Sequence, residues 1–240
     1  MSQIVAMGGG GFVGEHDGRM HRYILSLATS ARPKICFVAT GKGDNPECIA
    51  AYYGAFRTLA CQPTHLALFN RDVADLRAFL LAQEIIFVWG GNTASMLAVW
   101  RAHGVDQIIR EAAAQGVVLA GACAGALAWF EAGVTDSFSG LSPLRDGLGL
   151  LSGSLCPYYD GDPKRRPTYH GLVASGQLVS GIAADVGVAI RYHEGRLTDV
   201  VAQAEGMHAW RVAADAAGVR EEKIVPRLLG RGPSSASASF

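Results

Sequence analysis

Short β-rich runs alternate with helical patterns along this chain, which predicts an α/β fold with helices on both faces of a mostly parallel sheet. Half of the 240 residues are hydrophobic, enough to bury a sizeable core. The predicted strands are 3–7, 34–39, 64–68, 85–89, 117–120 and 188–192, with a hairpin strand at 196–202. The predicted helices are 21–28, 46–59, 73–82, 93–103, 105–115 and 125–132. We expect one domain over residues 1–230 and a disordered tail at 231–240.

The charge balance favours neither nucleic acid nor an anionic membrane as a partner, since the chain has 21 Lys and Arg residues and 21 Asp and Glu residues. The N-terminus lacks the pattern of a signal peptide, and no apolar segment reaches membrane-spanning length. Five cysteines without a C-x-x-C pair indicate neither a disulfide framework nor a zinc site. We therefore expect a cytoplasmic protein, either a monomer or a homodimer.

Cys123 is the strongest candidate for a reactive residue. It lies in the run Gly121-Ala122-Cys123-Ala124-Gly125, between a predicted strand and a predicted helix. A strand, a tight turn of small residues and a helix form the geometry that exposes a nucleophile beside backbone N–H groups able to stabilise an oxyanion. A buried structural cysteine in a glycine- and alanine-rich turn is the alternative interpretation.

Two glycine runs follow predicted strands. Gly90 and Gly91, with Asn92 after them, lie at the same predicted sheet edge as Cys123, where a bare backbone lets an N–H group approach a substrate. Asn92 is equally suited to cap the next helix. The run at 8–11 does not lead into a clean helix, so we interpret it as a flexible turn rather than a dinucleotide site.

The segment 136–170 has little periodicity and is predicted to be a long functional loop. Arg165 and Arg166 in it could hold a substrate carboxylate through their guanidinium forks, although solvated arginines are the commoner case. His170 is a candidate base for Cys123, against the alternative of a surface histidine.

The chain resembles the peptidase E family of aspartyl dipeptidases, whose relatives include the cyanophycinases, from residue 4 to about 230. The resemblance is carried by several motifs in one order: Ile4-Val5-Ala6-Met7-Gly8-Gly9-Gly10-Gly11-Phe12, Gly90-Gly91-Asn92-Thr93, Trp100-Arg101-Ala102-His103-Gly104, the turn at Cys123, Trp129-Phe130-Glu131, Thr135-Asp136-Ser137, Gly147-Leu148-Gly149-Leu150-Leu151 and Cys156-Pro157-Tyr158-Tyr159-Asp160.

This resemblance implies a flavodoxin-like, doubly wound fold related to class I glutamine amidotransferases. It implies hydrolysis of small peptides, including those with N-terminal Asp, by a Ser-His-Asp/Glu triad that needs no metal and no cofactor. It also implies an oxyanion hole formed by the amides of Gly91 and Ala124.

The chain departs from the family pattern at the triad. Cys123 stands where the family has serine in S-A-G-A, and Tyr158 stands where it has histidine in segments such as C-P-H-Y. The acid is expected either at Asp136 or at Asp185, where a pair of carboxylates is reduced to one. A thiol needs less help from a base than a hydroxyl does, whereas tyrosine is mostly protonated at pH 7 and donates hydrogen bonds.

Three functions therefore stay open. The first is a peptidase E-like hydrolase with Cys123 as nucleophile. The second is an inactive homologue that binds a peptide or a small acidic ligand. The third is an amidotransferase-like cysteine hydrolase, suggested by His193 and Glu194, although that family spaces its histidine and glutamate one residue apart.

Overall fold

The structure, a computed structural model, describes residues 2–10, 18–216 and 218–230; Gly11 and Phe12 of the first glycine run and the predicted tail lie outside these ranges. The described strands are β1 (Gln3–Met7), β2 (Lys34–Val38), β3 (Gln62–Leu66), β4 (Ile85–Val88), β5 (Val118–Ala122), β6 (Phe130–Phe138), β7 (Gly140–Leu144), β8 (Leu151–Cys156), β9 (Gly181–Ala184), β10 (Val188–His193), β11 (Arg196–Ala202), β12 (Ala209–Asp215), β13 (Gly218–Ile224) and β14 (Arg227–Leu228). The described helices are α1 (Arg19–Leu25), α2 (Pro46–Phe56), α3 (Leu76–Leu81), α4 (Thr93–His103), α5 (Val105–Ala114), α6 (Ala124–Leu127) and α7 (Arg165–Ala174), with a 3₁₀ turn at Thr40–Lys42.

The larger sheet has the order β14-β11-β10-β1-β5-β4-β2-β3. Its five strands from β1 to β3 in this order run parallel, while β10 pairs antiparallel with β1 and β11 antiparallel with β10. The predicted mixed α/β fold and the hairpin after residue 188 are confirmed. Because parallel strands end at one edge, the segments that follow β1, β2, β4 and β5 meet there.

A second sheet has the order β13-β12-β9-β8-β6-β7, with β8 parallel to both β6 and β9. The sequence did not predict this sheet: the segment 136–170 was expected to be a loop, and a helix was expected over 125–132. Helix α6 instead ends at Leu127, and β6 begins at Phe130. A short apolar run does not distinguish a helix from a strand, and the Gly, Ser and Pro residues of β7 and β8 hide the strand period.

Helix α7 packs on the second sheet. Buried Tyr169 and Val173 of this helix join a core with Val134 of β6, Ala183 of β9 and Val212 of β12. The larger sheet has separate cores on its two faces. Packing of α7 fixes which of its side chains turn toward the edge where the larger sheet ends.

Candidate active site

Cys123 occupies a strained turn between β5 and α6, with φ 54° and ψ −114°. Its N–H donates to the Met7 carbonyl at 3.1 Å. A Cβ added at Gly121 would lie 2.5 Å from the Gly125 carbonyl carbon, and one at Gly125 would lie 2.2 Å from the Val88 carbonyl oxygen. The small residues around the cysteine are therefore required for the turn to fit between neighbouring strands.

A pocket of about 630 Å³ opens beside this turn, and the Cys123 side chain is partly exposed in it. Seven of the sequence candidates line it: Gly90, Gly91, Asn92, Cys123, Asp136, Tyr158 and Arg165. Residues that the sequence analysis did not single out complete it, namely Gly41, Lys42, Trp89, Ser137, Gly161 and Asp162.

The surroundings of Cys123 shift the pKa of its thiol in both directions. Burial raises its pKa above the ordinary value, and Asp136 raises it further. Arg165 acts in the opposite direction, as do the backbone N–H groups of Ala124 and Gly91, which donate hydrogen bonds toward the sulfur. The balance leaves the pKa raised, so the thiol is mainly protonated at neutral pH.

The turn at Gly90 and Gly91 comes very close to its neighbours. A Cβ on Gly90 would lie 3.4 Å from the Cys123 sulfur. Gly91 has φ +143°, and a Cβ there would lie 1.8 Å from the Gly41 carbonyl oxygen. Only glycine brings the Gly91 N–H to the thiol with this backbone.

Tyr158 is held at the pocket by backbone contacts. Its φ is 53°, and its N–H donates to the Gly8 carbonyl at 2.6 Å. Its ring lies against Gly9, where a Cβ would be 2.9 Å away. The Gly10 N–H donates to the hydroxyl oxygen, but burial raises the pKa of Tyr158 overall, so the hydroxyl keeps its proton.

Arg165 and Asp136 form an ion pair in the pocket wall. Arg165 Nη2 lies 2.8 Å from Asp136 Oδ2; the arginine side chain is 6% exposed and the aspartate 58%. The guanidinium carbon also lies 5.7 Å from the centre of the Tyr158 ring. The ion pair therefore places a cation and an anion together in the pocket wall.

Asn92 serves as the N-cap of α4. Its Oδ1 accepts the Ser95 N–H at 2.8 Å, and its Nδ2 donates to the Ser137 carbonyl at 3.0 Å. Its own N–H donates to the Gly41 carbonyl at 2.9 Å. The side chain thus ties the glycine turn to β6.

Comparison with known proteins identifies the family by sequence and shows separately which solved structures share the fold. The sequence model of peptidase family S51 matches residues 4–200. The chain belongs to this family. It is therefore a hydrolase of the peptidase E type, and the predicted family resemblance is confirmed.

One S51 relative is the uncharacterized peptidase YgaJ of Bacillus subtilis (strain 168), which is 44% identical over 231 residues, covering 96% of this chain and all of the relative. Two crystal structures share the fold. A peptidase from an acI-B1 Actinobacterium has a TM-score of 0.68 at 16% identity, covering 94% of this chain and 95% of its own. A protein of Listeria monocytogenes EGD-e assigned to peptidase E has a TM-score of 0.59 at 17% identity, covering 94% and 100%.

Two of the candidate site residues of this S51 protein, Arg166 and His170, lie outside the pocket lining. Arg166 pairs with Glu221 of β13 at 3.0 Å, and His170 Nε2 lies 2.8 Å from the same carboxylate and 3.0 Å from the Tyr159 hydroxyl. We call these four residues, Arg166, His170, Glu221 and Tyr159, the anchor cluster. Successive helical residues point about 100° apart, which is why Arg165 enters the pocket and Arg166 does not. His170 therefore does not reach the thiol as a base.

Asp185 and His193 are also placed away from the thiol. Asp185 is buried, and its carboxylate accepts the His208 N–H at 2.8 Å and Trp210 Nε1 at 3.3 Å. His193 is paired with Gln3 at the start of β1, whereas Cys123 follows the end of β5. The length of β1, about 13 Å, separates these edges, so the amidotransferase-like arrangement is not formed.

Within residues 2–10, 18–216 and 218–230, no three His, Cys, Asp or Glu side chains converge as metal ligands. In the same ranges, every helix is too short or too polar to cross a membrane.

Proposed function

We propose that this S51 protein hydrolyses small peptides with Cys123 as the nucleophile. One observation carries the proposal: the thiol is partly exposed at a strained strand-to-helix turn, and two backbone N–H groups are directed at it. Such a turn presents a nucleophile to a substrate carbonyl from the end of a sheet. The family assignment supplies the reaction class.

The oxyanion formed during attack would be stabilised by the N–H groups of Gly91 and Ala124. Both groups point to the sulfur, one from the β4–α4 connection and one from the start of α6. The carbonyl oxygen of a peptide bound above the sulfur would lie between them. The absence of a side chain at Gly90 leaves room for that approach.

The reaction has two steps, formation of a thioester with Cys123 and its hydrolysis. The thiol of Cys123 loses its proton to solvent, and the thiolate attacks the peptide carbonyl; the C–N bond breaks as the Tyr158 hydroxyl gives its proton to the leaving amine. Water then attacks the thioester and returns a proton to the Tyr158 oxygen, which releases the acid and restores the thiolate. Tyr158 suits this role because the Gly10 N–H occupies its oxygen and leaves its own proton free to be donated.

The pair of Arg165 and Asp136 adjusts the thiol electrostatically. The guanidinium is buried in the wall and favours the thiolate, while the carboxylate opposes it. We assign Asp136 this electrostatic role in place of that of a triad acid. The pocket volume suits a peptide of two or three residues, and its cations favour substrates with a carboxylate, such as those with N-terminal Asp.

The test is turnover of Asp-Leu by the native protein, by Cys123→Ala and by Cys48→Ala, with glutamine as a comparison substrate. Cys48 is a second partly exposed thiol, on α2 and outside the pocket lining. We expect release of leucine by the native protein and by Cys48→Ala, and loss of more than 1,000-fold in Cys123→Ala. Equal rates in the native protein and Cys123→Ala would overturn the proposal.

A second candidate function, binding of a small acidic peptide without turnover, is favoured by one observation. Among the residues that the structure describes, no histidine lines the pocket, and burial raises the pKa of the thiol. The double variant Cys123→Ser, Tyr158→His introduces the residue types of the family pattern. Activity only in that variant would support binding as the natural function, whereas activity of the native protein excludes it.

A further inference from the structure

The described lining of the pocket contains two cations, Lys42 and Arg165, and they differ in their surroundings. Arg165 is buried and paired with Asp136 at 2.8 Å. Lys42 is exposed, and within the described part of the chain its ammonium has no ion pair. The charge of Arg165 is therefore balanced by Asp136, while no residue that the structure describes balances the charge of Lys42.

The other charged side chains described near the pocket have contacts elsewhere and form no ion pair with Lys42. Asp162, the second carboxylate of the lining, accepts the Lys164 N–H at 2.9 Å, next to the start of α7. Arg166, the other cation that the sequence suggested for a substrate carboxylate, is engaged by Glu221 outside the lining. An incoming carboxylate meets attraction at Lys42, but at Arg165 it also meets the repulsion of Asp136.

The backbone of Lys42 is fixed against the proposed oxyanion site. Its N–H donates to the Ala39 carbonyl at 3.1 Å, and the neighbouring Gly41 carbonyl accepts the Asn92 N–H at 2.9 Å. A Cβ built on Gly91 would lie only 3.0 Å from the backbone nitrogen of Lys42. The Lys42 side chain thus starts beside the amide that faces the thiol.

The 3₁₀ turn Thr40–Lys42, which carries this lysine, is also anchored by side chains. Thr40 is buried, and its hydroxyl accepts Trp100 Nε1 at 3.2 Å. On the other side, the N–H groups of Leu68 and Phe69 donate to the Asp44 carboxylate. The start of the Lys42 side chain is therefore anchored on both sides, and only its four-carbon stem is free to move.

We propose that Lys42 is the specificity-determining residue that binds a substrate carboxylate on the residue that carries the scissile carbonyl or on the next one. This inference rests on the proposed function, because it places that carbonyl at Cys123 and Gly91. A lysine side chain reaches about 6 Å, while successive Cα atoms of a peptide are about 3.8 Å apart. The carboxylate that fits is either the side chain of an N-terminal Asp or the C-terminus of a dipeptide.

The experiment compares three substrates: Asp-Leu, Asn-Leu and Asp-Leu amide. Asn-Leu lacks the side-chain carboxylate, and the amide lacks the C-terminal one. Each is assayed as kcat/KM with the native protein, Lys42→Met, Arg165→Met and the control Lys164→Met, which removes an exposed lysine outside the lining.

We expect Lys42→Met to lower kcat/KM for Asp-Leu about tenfold, as expected for one charge-assisted contact, mainly through KM. The effect should fall below twofold for whichever substrate lacks the carboxylate that Lys42 binds, which identifies its source. Lys164→Met should leave all rates within twofold. Arg165→Met should lower all three rates by the same factor, since it acts on the thiol.

An equal loss for all three substrates in Lys42→Met, or a selective loss in Arg165→Met instead, would overturn the inference. Binding of Asp-Leu to Cys123→Ala, measured by calorimetry with and without Lys42→Met, separates the two proposals. If the native protein shows no turnover but Lys42→Met weakens binding about tenfold, the proposed hydrolysis fails and the role of Lys42 stands. Unchanged binding overturns the role of Lys42 whatever the turnover.

Discussion

Two clusters of ionisable groups lie on either side of α7, and they contain nearly the same residue types. The pocket cluster consists of Cys123, Tyr158, Arg165 and Asp136, and the anchor cluster has a tyrosine, an arginine, a carboxylate and a histidine. Both hold an arginine-carboxylate pair at about hydrogen-bond distance, 2.8 Å and 3.0 Å. Only the pocket cluster has a thiol and an opening beside two converging backbone N–H groups.

The arginine of the anchor cluster packs on two aromatic rings. The Arg166 guanidinium carbon lies 4.4 Å from the centre of Trp210 and 4.9 Å from that of Tyr159. The Tyr159 hydroxyl donates to Glu221. These contacts fasten α7 to the second sheet. Adjacent arginines of one helix therefore have different roles: Arg165 lowers the pKa of the thiol, and Arg166 holds the helix on the sheet.

After loss of the thiol itself, the largest effect on the pocket side is expected from Gly91→Ala. The added Cβ would lie 1.8 Å from the Gly41 carbonyl oxygen, so the turn must shift and the N–H leaves the thiol. Loss of an oxyanion donor costs about 100-fold or more in kcat. Gly54→Ala in α2 meets no atom within 4 Å and is the matched control, with kcat unchanged and a gain of about 0.5–1 kcal/mol in stability. Near-native kcat in folded Gly91→Ala would remove Gly91 from the oxyanion site.

A smaller effect distinguishes the two arginines. Arg165→Met removes a cation that lowers the thiol pKa, so the pKa of Cys123 should rise and the alkylation rate at a fixed pH should fall. Arg166→Met should leave the rate unchanged. Asp136→Asn should lower the pKa and speed alkylation. Iodoacetamide labelling from pH 6 to 10 measures all three, and a shift of the same sign in Arg165→Met and Asp136→Asn would contradict the assignment.

The pH profile of the native protein follows from the same balance. Since burial raises the pKa of Cys123, the rate of alkylation should climb through a midpoint above that of free cysteine. A peptidase using the thiolate should gain activity over the same alkaline range. A midpoint below that of free cysteine would mean that the guanidinium and the amides outweigh burial.

The smallest expected effect is on the anchor side. Glu221→Gln leaves Arg166 and His170 without their carboxylate and should cost about 1–2 kcal/mol, or about 2–8 °C in Tm. The midpoint of Cys123 alkylation should stay within experimental error of the native value. Should the midpoint move as far as in Arg165→Met, the two clusters would not be independent.

Much of the larger sheet could be predicted because its strands are short apolar runs between amphipathic helices. The second sheet could not, since β6 is buried along most of its length without alternation, and β7 and β8 are rich in Gly and Ser. The unpredicted structure in this segment also explains why Arg166 and His170 were wrongly offered as pocket residues. Without a predicted helix at 165–174, nothing indicated which side chains share a face.

The site was predictable where it depends on local turns. Cys123 and the turn at Gly90 and Gly91 each follow a strand directly, so their place at one edge follows from parallel pairing. Lys42 was missed because its position depends on strand order: β2 neighbours β4 in the sheet, which brings the end of β2 beside Gly91. That order requires the fold.

The most direct test of the central claim is to trap the acyl-enzyme. An activated ester of aspartic acid is mixed with the native protein, quenched in acid within seconds, and analysed by intact mass and peptide mapping. We predict one added aspartyl group on the peptide that contains Cys123, and none on that peptide in Cys123→Ala. Hydrolysis of the ester with the label on another residue, or label unchanged by Cys123→Ala, would contradict the account.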